Sequence, residues 1–404
     1  MGALQGLVKT RFAAALLAFS MLAAGAGYLQ FASAKPEDFP FLSWTAWTIK
    51  DFLEQKKAPE LVFLGSSLML VPLDGIDADY LNRRVDGSQH HHSAYFEDEL
   101  KRKSGVSTKT FTFALPGEMP SDAFLIVNNL LKGDKKPEVI VYGVGPRDFL
   151  DNMLPSPAST DPYRFISRFG DVTPFATRLM TDWQERLDFA LGKACYFYGK
   201  RVDIANNANK LASKIMDKTL PVPVGERAAT FDERRQLMPD YHPTEILKGQ
   251  AWFRPMTGEQ QGNFVDNLDE YRKRYKKMKW ETYNSQMKFF RDTIETAQAR
   301  GIKVVVVTMP ITELNRSLLS DQAWNAYRNG VVSLAQEKGC TLVDFSKSAE
   351  FSQKDFGDTV HLHSAGGKRL FDLLTDRLAV DQSVLSALQN KHAETQVAER
   401  GERL

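Results

Sequence analysis

Two short motifs near opposite ends of the chain hold residue types that could together run nucleophilic catalysis. Gly65-Ser66-Ser67-Leu68 follows the apolar run Pro59–Leu64, and Asp358-Thr359-Val360-His361 stands ahead of the last amphipathic stretch. A serine hydroxyl is a weak nucleophile until an imidazole takes its proton. An aspartate three residues before a histidine on one turn can accept the Nδ1 proton, leaving Nε2 for the serine. Each motif also has a plainer reading. Small polar residues often follow strands, and an aspartate on a surface turn can simply cap a helix. His363 competes with His361, but its spacing from Asp358 suits the bond less well. The candidate set is therefore Ser67, His361 and Asp358.

For these residues to meet, the intervening chain must bring both loops to one place. Short apolar runs at Pro59–Leu64, Thr110–Leu115, Glu138–Gly143, Lys303–Thr308 and Thr341–Phe345 read as buried strands. Helical spacing predicts intervening helices at Ala94–Lys103, from a Ser121 cap through Leu131, and around Met287–Ala297. Two more are expected through Trp324–Leu334 and Leu370–Leu378. Alternating strands and helices predict an α/β fold with a parallel sheet, which binds ligands beyond the carboxyl ends of its strands. Both motifs fall at such ends.

Residues 1–34 read as a signal anchor or signal peptide, and 35–58 as a linker containing a helix at Ser43–Gln55. The α/β core is expected at 59–152 and 281–380, split by an insertion or cap over 153–280, with a polar, frayed helical tail at 381–404. Helical pieces are expected in the insertion around Trp183–Ala194 and Asp203–Lys218, with a joining helix near Asp266–Tyr283. The run His90–His92 reads as a solvated loop, because three adjacent histidines cannot readily face one metal.

G-S-S-L after the first strand, with D-x-x-H before the last helix, resembles the SGNH or GDSL-like hydrolase superfamily. The likeness covers about 59–152 and 284–380. Met69 stands where an α/β-hydrolase nucleophile elbow needs its second glycine, which separates the two classes. The resemblance implies a three-layer flavodoxin-like parallel sheet (the SGNH hydrolase fold), here with an inserted mainly helical cap and an N-terminal membrane-spanning or signal helix. It assigns Ser67 as nucleophile, His361 as base and Asp358 as its holder. The family glycine after the second strand matches Gly117, whose N–H would help bind an oxyanion. The third block, G-x-N-D, falls on Gly145-Pro146-Arg147-Asp148, with Arg147 in place of the asparagine. Its guanidinium would donate to the oxyanion or recognise an anionic group; a salt bridge to Asp148 or Asp151 is the structural alternative.

The remaining features bound the setting. Fifty-two Lys and Arg against 50 Asp and Glu leave a net charge of +2, and no basic block interleaves with aromatics, so nothing demands nucleic acid. Cys195 and Cys340 are too few for a disulfide framework and show no zinc spacing. A triad needs no cofactor and no metal, and no nucleotide motif is present. Lys9 and Arg11 precede an uncharged stretch from Phe12 to Ala34, comparable with the roughly 20 residues that span a bilayer. Positive charge ahead of it places the body of the chain outside the cytoplasm. Ala32-Ser33-Ala34 also fits a signal-peptidase site. Membrane attachment through 12–34 facing the periplasm, or secretion after cleavage at Ala34, are both expected forms.

Export, G-S-S-L and the D-x-x-H-L ending are similar to envelope acyltransferase-type members, the DltD-like and alginate-acetylation proteins. That resemblance implies O-acylation of a cell-envelope polysaccharide or polymer beside a membrane-bound O-acyltransferase partner. A secreted carboxylesterase, deacetylase or lipase would use the same triad. A non-catalytic envelope scaffold would keep the fold without it.

Overall fold

The apolar runs form five parallel strands in the order β2-β1-β3-β4-β5. They are β1 (Leu61–Gly65), β2 (Thr110–Thr112), β3 (Val139–Val144), β4 (Lys303–Thr308) and β5 (Thr341–Asp344). This is a computed structural model of the chain, and it describes residues 11–29, 44–219, 253, 255–256, 263–347 and 349–389. Strands β1 and β3 lie side by side in register from Leu61 opposite Val139 to Gly65 opposite Gly143. Both are buried throughout, as strands covered on two faces must be. The 2-1-3-4-5 order is that of flavodoxin-like sheets, whose ligands sit where β1 and β3 diverge.

Helices cover both faces. In chain order they are α1 (Trp44–Glu54), α2 (Ser67–Tyr80), α3 (Ala94–Ser104), α4 (Pro120–Asn129) and α5 (Pro146–Leu150). These are followed by α6 (Leu268–Arg274), α7 (Trp280–Ala299), α8 (Asp321–Glu337) and α9 (Ser364–Ala379). On one face Phe63 of β1 meets Phe96 of α3 and Phe371 of α9 edge-on. On the other, Tyr142 of β3 packs against Phe290 of α7, and Phe149 of α5 against Phe290 and Tyr327 of α8. The result is a three-layer α/β/α arrangement. Helix α1 packs on the domain: Phe52 is fully buried, its ring against Phe111 and Phe113.

Several sequence expectations are corrected. No helix was expected directly after Ser67, yet α2 begins there. Its residues from Leu68 to Ala78 are buried almost without a break, and Pro72 lies inside it, so no amphipathic stripe marks it. Helix α4 begins at Pro120 rather than behind a Ser121 cap: Asp122 Oδ2 accepts the Met119 N–H at 2.9 Å, and Ser121 is within the helix. His90 and His91 are buried, not solvated; they bond Asp77 at 2.7 Å and Asp51 at 3.1 Å through their Nε2 atoms. The tail is helical over 382–389, as expected, but it is not merely polar: Val384 and Leu388 are fully buried.

The described residues within 1–46 and 171–239 cluster into one compact unit, and those within 47–170 and 240–404 into another that holds the sheet. In the first unit the helices Arg11–Tyr28, Trp183–Ala194, Tyr196–Gly199 and Arg201–Thr219 are present, the second and fourth close to expectation. Phe19 packs against Phe197 at 5.7 Å between ring centroids. Helix Arg11–Tyr28 covers most of the expected export segment, whose residues 30–34 lie outside the described ones. Among the described residues no helix is long and apolar enough to cross a membrane. Cys195 and Cys340 are both free thiols.

Candidate active site

Strand β1 delivers its last residue, Gly65, at a φ of +137°, a backbone conformation that suits glycine. A Cβ there would stand 2.4 Å from the Gly143 carbonyl oxygen of the neighbouring strand. The chain thus turns tightly and starts α2 at Ser67, with its hydroxyl at the sheet's carboxyl edge. Helix α9 is held equally close to α2, since a Cβ on Gly367 would meet the Pro72 carbonyl oxygen at 2.6 Å. That approach brings the loop ahead of α9 over the start of α2.

The loop meets Ser67 in the geometry a triad requires. Ser67 Oγ is 2.8 Å from His361 Nε2, and His361 Nδ1 is 2.7 Å from Asp358 Oδ2. Asp358 Oδ1 accepts the backbone N–H groups of Val360 and His361, both at 2.8 Å. Burial raises the Asp358 pKa, but the neighbouring imidazole and these bonds outweigh it and hold the carboxyl below its ordinary range. Asp358 is therefore the ionised partner that fixes the His361 tautomer.

Thr359, wholly buried between them, anchors the loop. Its carbonyl accepts from Thr312 N–H at 3.2 Å and Thr312 Oγ1 at 2.7 Å, while its hydroxyl accepts from Asn315 Nδ2 at 3.0 Å. Its N–H and O–H both donate to Asn267 Oδ1. The segment before α6 is thereby stitched to the histidine loop. His363 takes no part in the triad: its Nε2 faces the Lys354 carbonyl, and its Nδ1 accepts the Gly366 N–H as the cap of α9.

Gly117 and Arg147 line the same solvent-open cleft as Ser67 and His361, a space of about 620 Å³. Gly117 holds a φ of +78°, and Arg147 Nη2 lies 3.4 Å from where a Cβ on it would stand. The N–H groups of Ser67 and Gly117 have no acceptor among the described residues. Arg147 makes the salt bridge weighed as its structural alternative and also reaches the cleft. Its Nε pairs with fully buried Asp151 at 3.0 Å and Nη1 is 3.7 Å from Asp148, while the same side chain borders the cleft.

The far wall was not legible as part of a site. Helix α6, expected as a mere joining element, brings Tyr271, Arg274 and the following Tyr275 to the cleft. Arg274 pairs with Asp151 and with Glu270, so one buried aspartate steadies two arginines. The Glu270/Arg274 spacing of four was the available local clue. Beneath the cleft lie three buried acids, Glu118, Asp122 and Asp148. Burial pushes Asp122 up to about 7 and Asp148 up to about 6, against hydrogen bonds and the Arg147 charge, which lower them. Among the described residues no cluster of histidine, cysteine and acid is arranged to hold a metal. No protein-family model matches this sequence, and no curated protein matches it either.

Proposed function

We propose that this protein is an exported serine acyl-transfer enzyme of the SGNH type, moving an acyl group such as acetyl onto a hydroxyl of a cell-envelope polysaccharide or similar polymer. The observation that carries the reading is the unbroken hydrogen-bond chain Ser67–His361–Asp358 opening into a cleft. In the forward step Ser67 Oγ attacks the ester carbonyl of a donor while His361 Nε2 takes its proton, and Asp358 balances the imidazolium. The N–H groups of Ser67 and Gly117, with Arg147 Nη2 in place of the family asparagine, face the developing oxyanion. Collapse expels the donor alcohol, which receives the proton from His361, and leaves an acyl-serine. An acceptor hydroxyl then repeats the sequence in reverse, regenerating Ser67.

The 2-1-3-4-5 strand order and the placement of each motif after its strand support the SGNH assignment. Export rests on the sequence, where Lys9 and Arg11 stand ahead of an apolar segment; helix Arg11–Tyr28 covers most of that segment. That helix leaves Phe12, Leu16, Leu17, Phe19, Met21 and Leu22 largely exposed, a surface suited to a membrane or a membrane-bound O-acyltransferase. Ester hydrolysis is the second reading, favoured by the solvent-open cleft, through which water can reach an acyl-serine. The 2.8 Å Ser67–His361 separation weighs against a purely scaffolding role.

The test uses the body of the protein from Lys35 onward, an activated serine probe and p-nitrophenyl acetate, comparing wild type with S67A and H361A. Labelling and acetate release in wild type alone are expected. An inert wild type with native secondary structure would overturn the reading. Acyl transfer to added oligosaccharide against release to water then separates transferase from esterase.

A further inference from the structure

We propose that Glu118 is a buried, protonated carboxylic acid that positions the nucleophile turn and the oxyanion donors together, with Asp148 as its charge-coupled partner. The inference rests on the acyl-transfer reading for its kinetic consequence but not for its spectroscopic one. Glu118 touches every piece of that machinery without reaching the cleft. Its Oε1 accepts the Gly65 N–H at 3.2 Å, and the Leu115 N–H grips the Gly65 carbonyl at 2.9 Å. The two peptide groups flanking Gly65 are thus fixed from one loop, immediately before Ser66 and Ser67. Gly117 is its chain neighbour, and its own carbonyl accepts from Arg147 Nη1 at 3.3 Å.

Burial and two bare oxygens outweigh what favours ionisation here. Glu118 is 1% exposed and its Oε2 has no hydrogen-bond partner; Asp148 is 2% exposed and its Oδ1 has none. Asp148 Oδ2 accepts the Gly145 N–H at 2.8 Å, holding the β3 turn as Glu118 holds the β1 turn. Ser66 Oγ, also buried and unpartnered, faces Asp148 short of a full bond. The charged and titratable groups around the two acids are Asp122 from α4, Tyr142 from β3, Arg147 from α5, Tyr275 beyond α6 and Tyr327 from α8. Arg147 is the cation among them, and Asp151 already engages it. Two buried carboxylates with bare oxygens cannot both stay charged. A proton on Glu118 removes the repulsion and gives its unpartnered oxygen a hydrogen to donate. Burial first, then the nearby Asp122 and Asp148 charges, drive its affinity for that proton far above the ordinary carboxyl range.

E118A and E118Q are compared with wild type. E118A removes the acceptor for Gly65 N–H and is expected to lower kcat about 100-fold with KM little changed, the scale of a misplaced reacting group. E118Q retains an acceptor and a donor and is expected to recover most of that loss. It should also lack any alkaline decline of kcat that wild type shows as the buried acid ionises. Infrared difference spectra of wild type minus E118Q should show a protonated-carboxyl C=O band persisting at neutral pH. A missing band, or an E118Q pH profile superimposable on that of wild type at every pH where wild type declines, overturns the proposal. If E118A does not fold, E118Q and the band decide. If wild type is as inert as S67A, the acyl-transfer reading falls while the infrared band still judges the buried acid.

Discussion

Among the described residues two carboxylate–imidazole pairs share a 2.7 Å separation, and one of them faces a serine hydroxyl. Asp358–His361 hands its second ring nitrogen to Ser67 in a cleft. Asp77–His90 sits on the last turn of α2, where Asp77 also accepts the Ala94 and Tyr95 N–H groups at the start of α3. Asp77 devotes its oxygens to a helix terminus, whereas Asp358 devotes one to its own loop and one to the imidazole. An Asp–His bond is therefore not a site in itself; the group beyond the histidine, and access to solvent, make the difference.

The sharpest way to break this comparison is to remove each histidine. H361A is expected to lower kcat by about 10⁴-fold with little change in Tm, by analogy with triad lesions. H90A should leave kcat within severalfold and lower unfolding free energy by about 1–3 kcal/mol, because Asp77 is left buried with one partner fewer. Equal kinetic losses in both would erase the distinction. A smaller effect is expected at the oxyanion side. R147A should cost about 10²-fold in kcat, and R147K should recover little, since a lysine lacks the second arm that reaches past Asp151 toward Gly117. Full activity in R147A would remove the guanidinium from the donor set.

The mildest effect is on stability against pH. Buried Asp122 and Asp148 keep protons up to about 7 and about 6, whereas unfolded aspartates release theirs near about pH 4. The folded chain then binds more protons than the unfolded one, so unfolding free energy falls as pH rises through that window. Asp358 works in the opposite sense, its contribution fading as pH drops through and below the ordinary carboxylate range. Denaturant titrations from pH 4 to 8 should show the decline, and D122N, which can still bond Met119 and Thr160, should flatten it. An unchanged slope would place the titrating acid elsewhere.

The two motifs of the proposed triad were legible because each is local: an Asp-x-x-His turn and a serine at a strand end are both visible within four residues. The five strands were legible because their apolar runs are uninterrupted. Helix α2 was not, since burial on all sides removes the periodic stripe by which helices are recognised. His90 and His91 were misread because their partners, Asp77 and Asp51, lie 13 and 40 residues away. The cleft wall from Tyr271 to Tyr275 and the acid at Glu118 depend on distant pairings too, and one short motif cannot reveal them.

The bond between Ser67 and His361 joins residues 294 positions apart, and β2, β3, β4 and β5 all lie between them. A ribosome makes the nucleophile and the oxyanion loops long before it makes the base. The half-finished chain thus carries Ser67 without its imidazole partner, and the hydroxyl acquires that partner only when the loop ahead of α9 docks. Covalent labelling of Ser67 by an activated probe would accordingly time the last step of maturation, distinguishing a completed fold from a collapsed precursor.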